Sequence, residues 1–448
     1  MTNLNALLRS LVIALLPAST AWSQSAQVPA PPQDGSITII NARIHPVSDE
    51  HPARIESGWI QFDEGRIVGI GEGSPEPASD ESQIIDAGGL TVVPGFISGP
   101  SQIGLLEVKQ VDATDDRREG ASRSPEVAPW LAVNPDSDLI PVARAAGILH
   151  TFAVPIGGTI PGRTSVLRMD GWTTEDLAVV RDAGVMVSWP TMTPITASWM
   201  RRSRDDQAKS IQNRIREIDQ WFDDAEAWKR AKDVDATIRT DLRFAAVEPV
   251  LRGERPVFIR ADSRGQIESA IAWAKARGYR PVVVGGSNAA DCIDVLQTTE
   301  TPVILTRIHR LPSSRHHSVD RPLALPAILE EAGIPFAIGF EDEPAHERGL
   351  AHNAATAVAH GLSQDAALRS ITRGPAEILG VGDRIGSLTP GRSATFFICD
   401  GDPLEMNAIP LRAWIDGREI DLGSRQRRML EKYREKYRRT GQVDADMP

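Results

Sequence analysis

The hydrophobic pattern of this chain changes character twice. From residue 37, short β-branched runs at 37–44, 59–62, 67–70 and 84–85 are separated by turn signals such as Asp63-Glu64-Gly65 and Gly88-Gly89, which predicts a small antiparallel β module. Between residues 92 and 338 eight apolar runs follow (92–97, 148–154, 165–169, 185–189, 257–260, 281–284, 303–305 and 335–338), interspersed with helical stretches. Strands alternating with helices predict βα units and an α/β fold with a parallel sheet. Eight such runs fit a (β/α)8 barrel, although an open doubly wound sheet would show the same alternation. The β pattern returns at 394–399 and 413–415 with an Asp416-Gly417 turn, so the two ends of the chain are expected to build one module together.

Two further helices stand out. Over 203–232, Ile211, Ile215, Ile218, Phe222 and Ala225 recur at three- and four-residue steps, which gives one apolar face. That face suits packing on a barrel wall, with a mouth lid or a subunit contact as the alternatives. Residues 424–439 carry eight Lys or Arg against two Glu; such a run is either a solvated surface or a contact with an acidic surface, the chain's own body or phospholipid headgroups.

The first residues set the compartment. Arg9, the apolar run 11–16 and the small residues before Ser23 and Ala26 form a secretory signal, predicted as residues 1–23, and a polar, Pro-rich linker follows at 24–35. The apolar run is too short to span a bilayer, so the chain is expected to be exported, periplasmic or extracellular, and not transmembrane. A formal charge of -11 argues against nucleic acid as a partner. Cys292 and Cys399 lie too far apart in sequence for their spacing to reveal a pairing.

The stretch VVPGFISGPSQIGLLEV, residues 92–108, resembles the first barrel strand of the amidohydrolase superfamily, the metal-dependent hydrolases of the imidazolonepropionase and dihydroorotase kind. There Pro-Gly-Phe/Leu-Ile-Asp is followed one residue later by His-x-His. The tail GDRIGSLTPGRSATFFICDGDPL, residues 382–404, is similar to the second half of the family's β-sandwich. The resemblance implies a composite β-sandwich, 36–93 with 385–422, around a (β/α)8 barrel at 94–384, followed by a basic C-terminal helix and tail at 423–448. It also implies hydrolysis of non-peptide C–N bonds. The family holds its metals with His-x-His on strand one, an acid or modified Lys on strand four, His on strands five and six, and Asp on strand eight. Such a metal lowers the pKa of a bound water, and the strand-eight carboxylate takes the proton.

This sequence departs from that pattern at nearly every ligand. Ser98 stands for the Asp, Pro100 and Gln102 for the two histidines, Ser188 and Trp189 end strand four, Arg260 occupies the strand-five position, and Gly285 or Gly286 the sixth. Proline has no ligand atom, a carboxamide is a poor Zn donor, and a guanidinium repels a cation. No pair among the histidines has the His-x-His or His-Glu-x-x-His spacing that aims two imidazoles at one ion. No metal ligand and no cofactor is therefore expected, although oxygen donors such as Asp262 and the acids at 341–343 would suit Mg or Ca. The barrel mouth is expected to bind a small polar or anionic molecule through Gln102, Arg260, Asp262 and His309, with Glu341 and Asp342 in the catalytic carboxylate position. The loop 155–163, PIGGTIPGR, is a further candidate cradle for an anion. The competing expectation is a non-catalytic exported binding or scaffold protein on the same fold.

Overall fold

The computed structural model describes residues 27–75, 82–196, 199–341 and 343–441; the expected signal peptide, residues 1–23, lies outside them. Both ends of the chain pair into one sheet. Strands β1 (Ile37–Ile44), β2 (Ile55–Asp63), β3 (Arg66–Glu72), β4 (Gln83–Asp86) and β5 (Thr91–Pro94) come from the N-terminal side. The barrel strands are β6 (Phe96–Ser101), β7 (Ile148–Ala153), β8 (Gly162–Arg168), β9 (Ala178–Ser188), β10 (Val257–Ala261), β11 (Pro281–Gly285), β12 (Val303–Leu305) and β13 (Phe336–Ile338). The C-terminal side adds β14 (Phe396–Cys399), β15 (Pro410–Ile415) and β16 (Arg418–Glu419). The composite sheet runs β16-β15-β14-β5-β1-β2-β3, with β4 beside β1. Its two halves join where β14 lies antiparallel to β5, Phe396 opposite Pro94 and Cys399 opposite Thr91. Phe396 stacks on Trp414 at that junction and Phe62 meets both edge-on, with ring centroids 5.1–6.0 Å apart.

The second sheet orders its strands β13 to β6 consecutively and is nearly closed. Seven of the eight expected runs lie in it and the first, 92–97, is divided between β5 of the composite sheet and β6, yet the alternation of strand and helix is interrupted. β8 is antiparallel to both β7 and β9. The reason is the length of the connection: only residues 154–161 separate β7 from β8, whereas a parallel return needs a crossover of about a dozen residues or more. From β9 to β13 the pairing is parallel throughout.

Alternation along each strand separates two cores. Phe96, Leu149, Val185, Val257 and Val283 point outward into the helical layer. Ile97, Phe152, Val166, Met186, Phe258, Val284, Ile304 and Ala337 fill the lumen, which Leu379, Val381 and Ile385 help to plug. The barrel interior is thus packed rather than open. At its seam the first and eighth strands come so close that a Cβ on Gly339 would sit 1.8 Å from the Gly99 carbonyl oxygen, so only glycine fits there.

The long helix, Arg204–Val234, begins at Ser203, whose hydroxyl accepts from the Asp206 amide, as an N-cap requires. Its buried residues are Ile218, Trp221, Phe222 and Ala225. Phe222 packs edge-on against Trp273 of the helix Arg264–Ala276, so the helix lies on the barrel wall. Both cysteines are buried free thiols.

Candidate functional site

In a barrel of this kind side chains at the C-terminal strand ends face a common mouth. On β10, Phe258 belongs to the lumen core while Ile259 and Ala261 belong to the outer one. Strand alternation therefore turns Arg260, and Asp262 just beyond it, toward the lumen. Arg260 Nη1 is paired with the Glu341 carboxylate, while Arg260 Nη2 is buried and has no hydrogen-bond partner among the described residues. Glu341 is fixed at its backbone as well: its amide donates to Thr306 O at 2.9 Å, and its carbonyl accepts from Arg307 Nη2 at 3.1 Å. Residues at the ends of strands five and eight thus meet as an ion pair.

Asp262 makes a second cluster. Its Oδ1 accepts from the Ser287 amide at 3.2 Å and from the Ser287 hydroxyl, and Arg310 donates to the Ser287 carbonyl. Gly285 explains why no imidazole is found here: its φ is +109°, and a Cβ would lie 2.9 Å from Asp262 Oδ1. Gln102 belongs to a third cluster. It is nearly buried, and its Oε1 accepts from Arg117 Nη1 at 3.1 Å. Arg117 also grips Asp115 through Nε and Nη2, each at 2.7 Å, and that guanidinium holds the Asp115 carboxyl below its ordinary range. His309 is exposed on the loop after β12, and among the described residues no hydrogen bond or ion pair joins it to these clusters. Asp342 lies outside the described residues.

The strand-four end is closed by packing. Trp189 stacks on Trp273 with centroids 5.3 Å apart, and its carbonyl accepts from Gln266 at 3.1 Å. The loop 155–163 commits part of its polar groups elsewhere: Ile156 N donates to Arg117 O, both Thr159 N and Ile160 N donate to Ser122 O, and Arg163 is paired with Asp182 at 2.8 Å. Among the described residues no group of three His, Cys, Asp or Glu side chains could hold a metal ion. The donor chemistry at the strand ends does not fit the family's metal.

Sequence reasoning missed Glu347, on the short 3-10 turn Pro344–Gly349. Its carboxyl is fully buried. Ser98 donates to it at 2.6 Å, Ser101 at 2.9 Å, and the Gln102 amide lies 3.4 Å away. Glu347, on the turn that follows the eighth strand, thus ties that turn to both Ser98 and Ser101 of the first. Burial pushes its pKa up to about 8, against the lowering effect of the two hydroxyls and the amide. The sequence signal was present, since Ser98 stands where the family has an acid, but an acid returning from the strand-eight loop could not be read from spacing.

The family model described as the amidohydrolase family matches residues 287–422. The amidohydrolase tasK of Hapsidospora irregularis is 23% identical over 413 residues, covering 83% of this chain but 41% of that protein; the chain thus spans less than half the length of this curated relative. An amidohydrolase from Thermotoga maritima MSB8 superposes with a TM-score of 0.73 at 24% identity, covering 86% of this chain and 99% of the other. A molinate hydrolase superposes at 0.54 and 14% identity, covering 87% and 95%. The strand-one motif, the tail and the fold agree with these matches, which support a place for the chain in the amidohydrolase superfamily.

Proposed function

We propose that this protein uses its barrel mouth to bind a small polar or anionic molecule, on a fold whose family reaction, hydrolysis of non-peptide C–N bonds, it no longer carries out by the metal route. The observation that carries this reading is the Arg260–Glu341 pair. A guanidinium stands where the resemblance expects a metal-binding imidazole, and it occupies the carboxylate that would otherwise take the proton from water. The arrangement can recognise charge. Arg260 Nη2 is a buried donor with no partner among the described residues, and charge-assisted hydrogen bonds from Arg suit carboxylate or phosphate oxygens. Asp262 with Ser287 would orient a donor group on the same molecule. Residues 1–23 support a site of action outside the cytoplasm, and the split at about 94 and 385 supports a ligand domain carried on a composite β module.

Metal analysis of the purified mature protein, with assays on amides, carbamates and cyclic imides, tests the reading. Substoichiometric transition metal and no turnover are expected; stoichiometric Zn, Fe, Mn or Ni with turnover abolished by chelation would sink it. In a thermal-shift screen of small carboxylates and ureido acids, at least one hit is expected. Arg260→Ala should weaken such a hit roughly ten- to hundredfold, the equivalent of one charge-assisted hydrogen bond. Unchanged affinity in both Arg260→Ala and Glu341→Ala would place the ligand elsewhere.

A further inference from the structure

The C-terminal helix Arg425–Arg439 contains no buried residue, yet it is fixed at its root. The Ser424 hydroxyl accepts from the Arg427 amide at 3.2 Å, and Arg427 Nη2 donates to Ala145 O and Pro410 O at 3.3 and 3.2 Å. From there the helix leaves the body with its side chains in solvent. Its apolar residues are ordered around it. At 3.6 residues per turn, Met429, Leu430, Tyr433 and Tyr437 fall within an arc of about 100°, and they are 42%, 52%, 43% and 38% exposed. Arg427, Arg434 and Arg438 border one edge of that stripe, and Arg425, Lys432 and Lys436 the other. Glu431 and Glu435 lie on the opposite face, where Glu435 is engaged by Arg438 and Arg439.

A solvated charge run has no reason to keep its apolar residues in one stripe, nor its acids away from it. The order matches a helix lying in the plane of a membrane interface, with its apolar stripe toward the acyl boundary and basic residues at headgroup level on both sides. Two tyrosines suit that depth, because each ring is apolar and each hydroxyl polar. The helix cannot cross the bilayer, and no described helix is long and apolar enough to do so. We propose that Arg425–Arg439 docks this protein peripherally on an anionic phospholipid surface. Charge complementarity selects the occupant: eight Lys or Arg on a chain of net charge -11 make this helix the segment drawn to an anionic surface while the acidic body is held off it.

Co-sedimentation of the full chain with vesicles tests the proposal. Vesicles of phosphatidylcholine containing about one third phosphatidylglycerol should bind the protein, and pure phosphatidylcholine should bind it at least tenfold less. Raising the salt to about 0.5 M should release most of it, because the attraction acts within a Debye length. Tyr433→Ser with Tyr437→Ser, which keeps every charge, and Lys432→Glu with Lys436→Glu, which keeps the stripe, should each reduce binding about tenfold or more. All these residues are exposed, so both variants should retain the parent's circular dichroism and denaturation midpoint. Absence of binding to the anionic vesicles, equal binding to neutral ones, or full binding by the tyrosine variant would overturn the proposal. The last result would point to a nucleic acid or acidic protein held by charge alone.

Discussion

Glu347→Gln is expected to flatten the pH dependence of stability between pH 4.5 and 8. The carboxyl's ordinary value is 4.5, and in the folded protein burial raises it to about 8, so the native state keeps a proton that the unfolded chain gives up. Below about pH 4.5 both states are protonated, and the contribution is present in full. As the pH rises through the window the unfolded state is increasingly favoured, and the contribution is exhausted once the pH passes about 8. At about 1.4 kcal/mol per pH unit the swing is on the order of 5 kcal/mol. Glutamine has nearly the same shape and no charge to bury, so the variant should lack this swing and be the more stable protein at pH 8. Denaturant titrations of both proteins at pH 5 and pH 8 isolate the effect, because every other titrating group is shared. Parallel stability curves for the two proteins would show that Glu347 is ionised in the fold and that the seam tolerates the charge.

The position of that carboxyl also marks how far the sequence could be read. Strands were legible because period-two alternation is local: Phe258, Ile259 and Arg260 take their sides of β10 from neighbours alone. Pairing of the two chain ends was expected from the Asp416-Gly417 turn and the tail motif, and in the structure β14 lies antiparallel to β5. The direction of β8 was not, because an apolar run looks the same in either direction and only the short 154–161 connection decides it. At the mouth, residue types were legible and partners were not. Arg260 and Glu341 are separated by 81 positions, Ser98 and Glu347 by 249, and nothing local fixes which acid meets which donor. His309 was included because it follows strand seven, but the loop carries it outward to solvent.

The same long-range pairing governs the second large effect, at Asp170. Its carboxylate is 2% exposed and serves three separate parts of the chain. Oδ1 accepts from Arg144 Nη1 at 2.6 Å, and Oδ2 accepts from the Ala30 amide and is ion-paired with Arg418 Nη1, both at 3.1 Å. Arg144 ends the barrel helix Leu139–Arg144 and is itself 3% exposed; Arg418 opens β16, and Ala30 belongs to the segment expected to be a linker. One buried acid thus joins barrel, composite sheet and N-terminal segment. Asp170→Ala should cost about 3–5 kcal/mol, because it leaves the Arg144 guanidinium buried without a counter-charge while Arg cannot release its proton. The cost lies in the stranded cation more than in the lost attraction, so removing both members should hurt less than removing one. Asp170→Ala combined with Arg144→Met is therefore expected to recover a large part of the loss in urea denaturation. A double variant no more stable than Asp170→Ala would mean that Arg144 reaches water once its partner is gone, and that the three segments are held together by their apolar contacts instead.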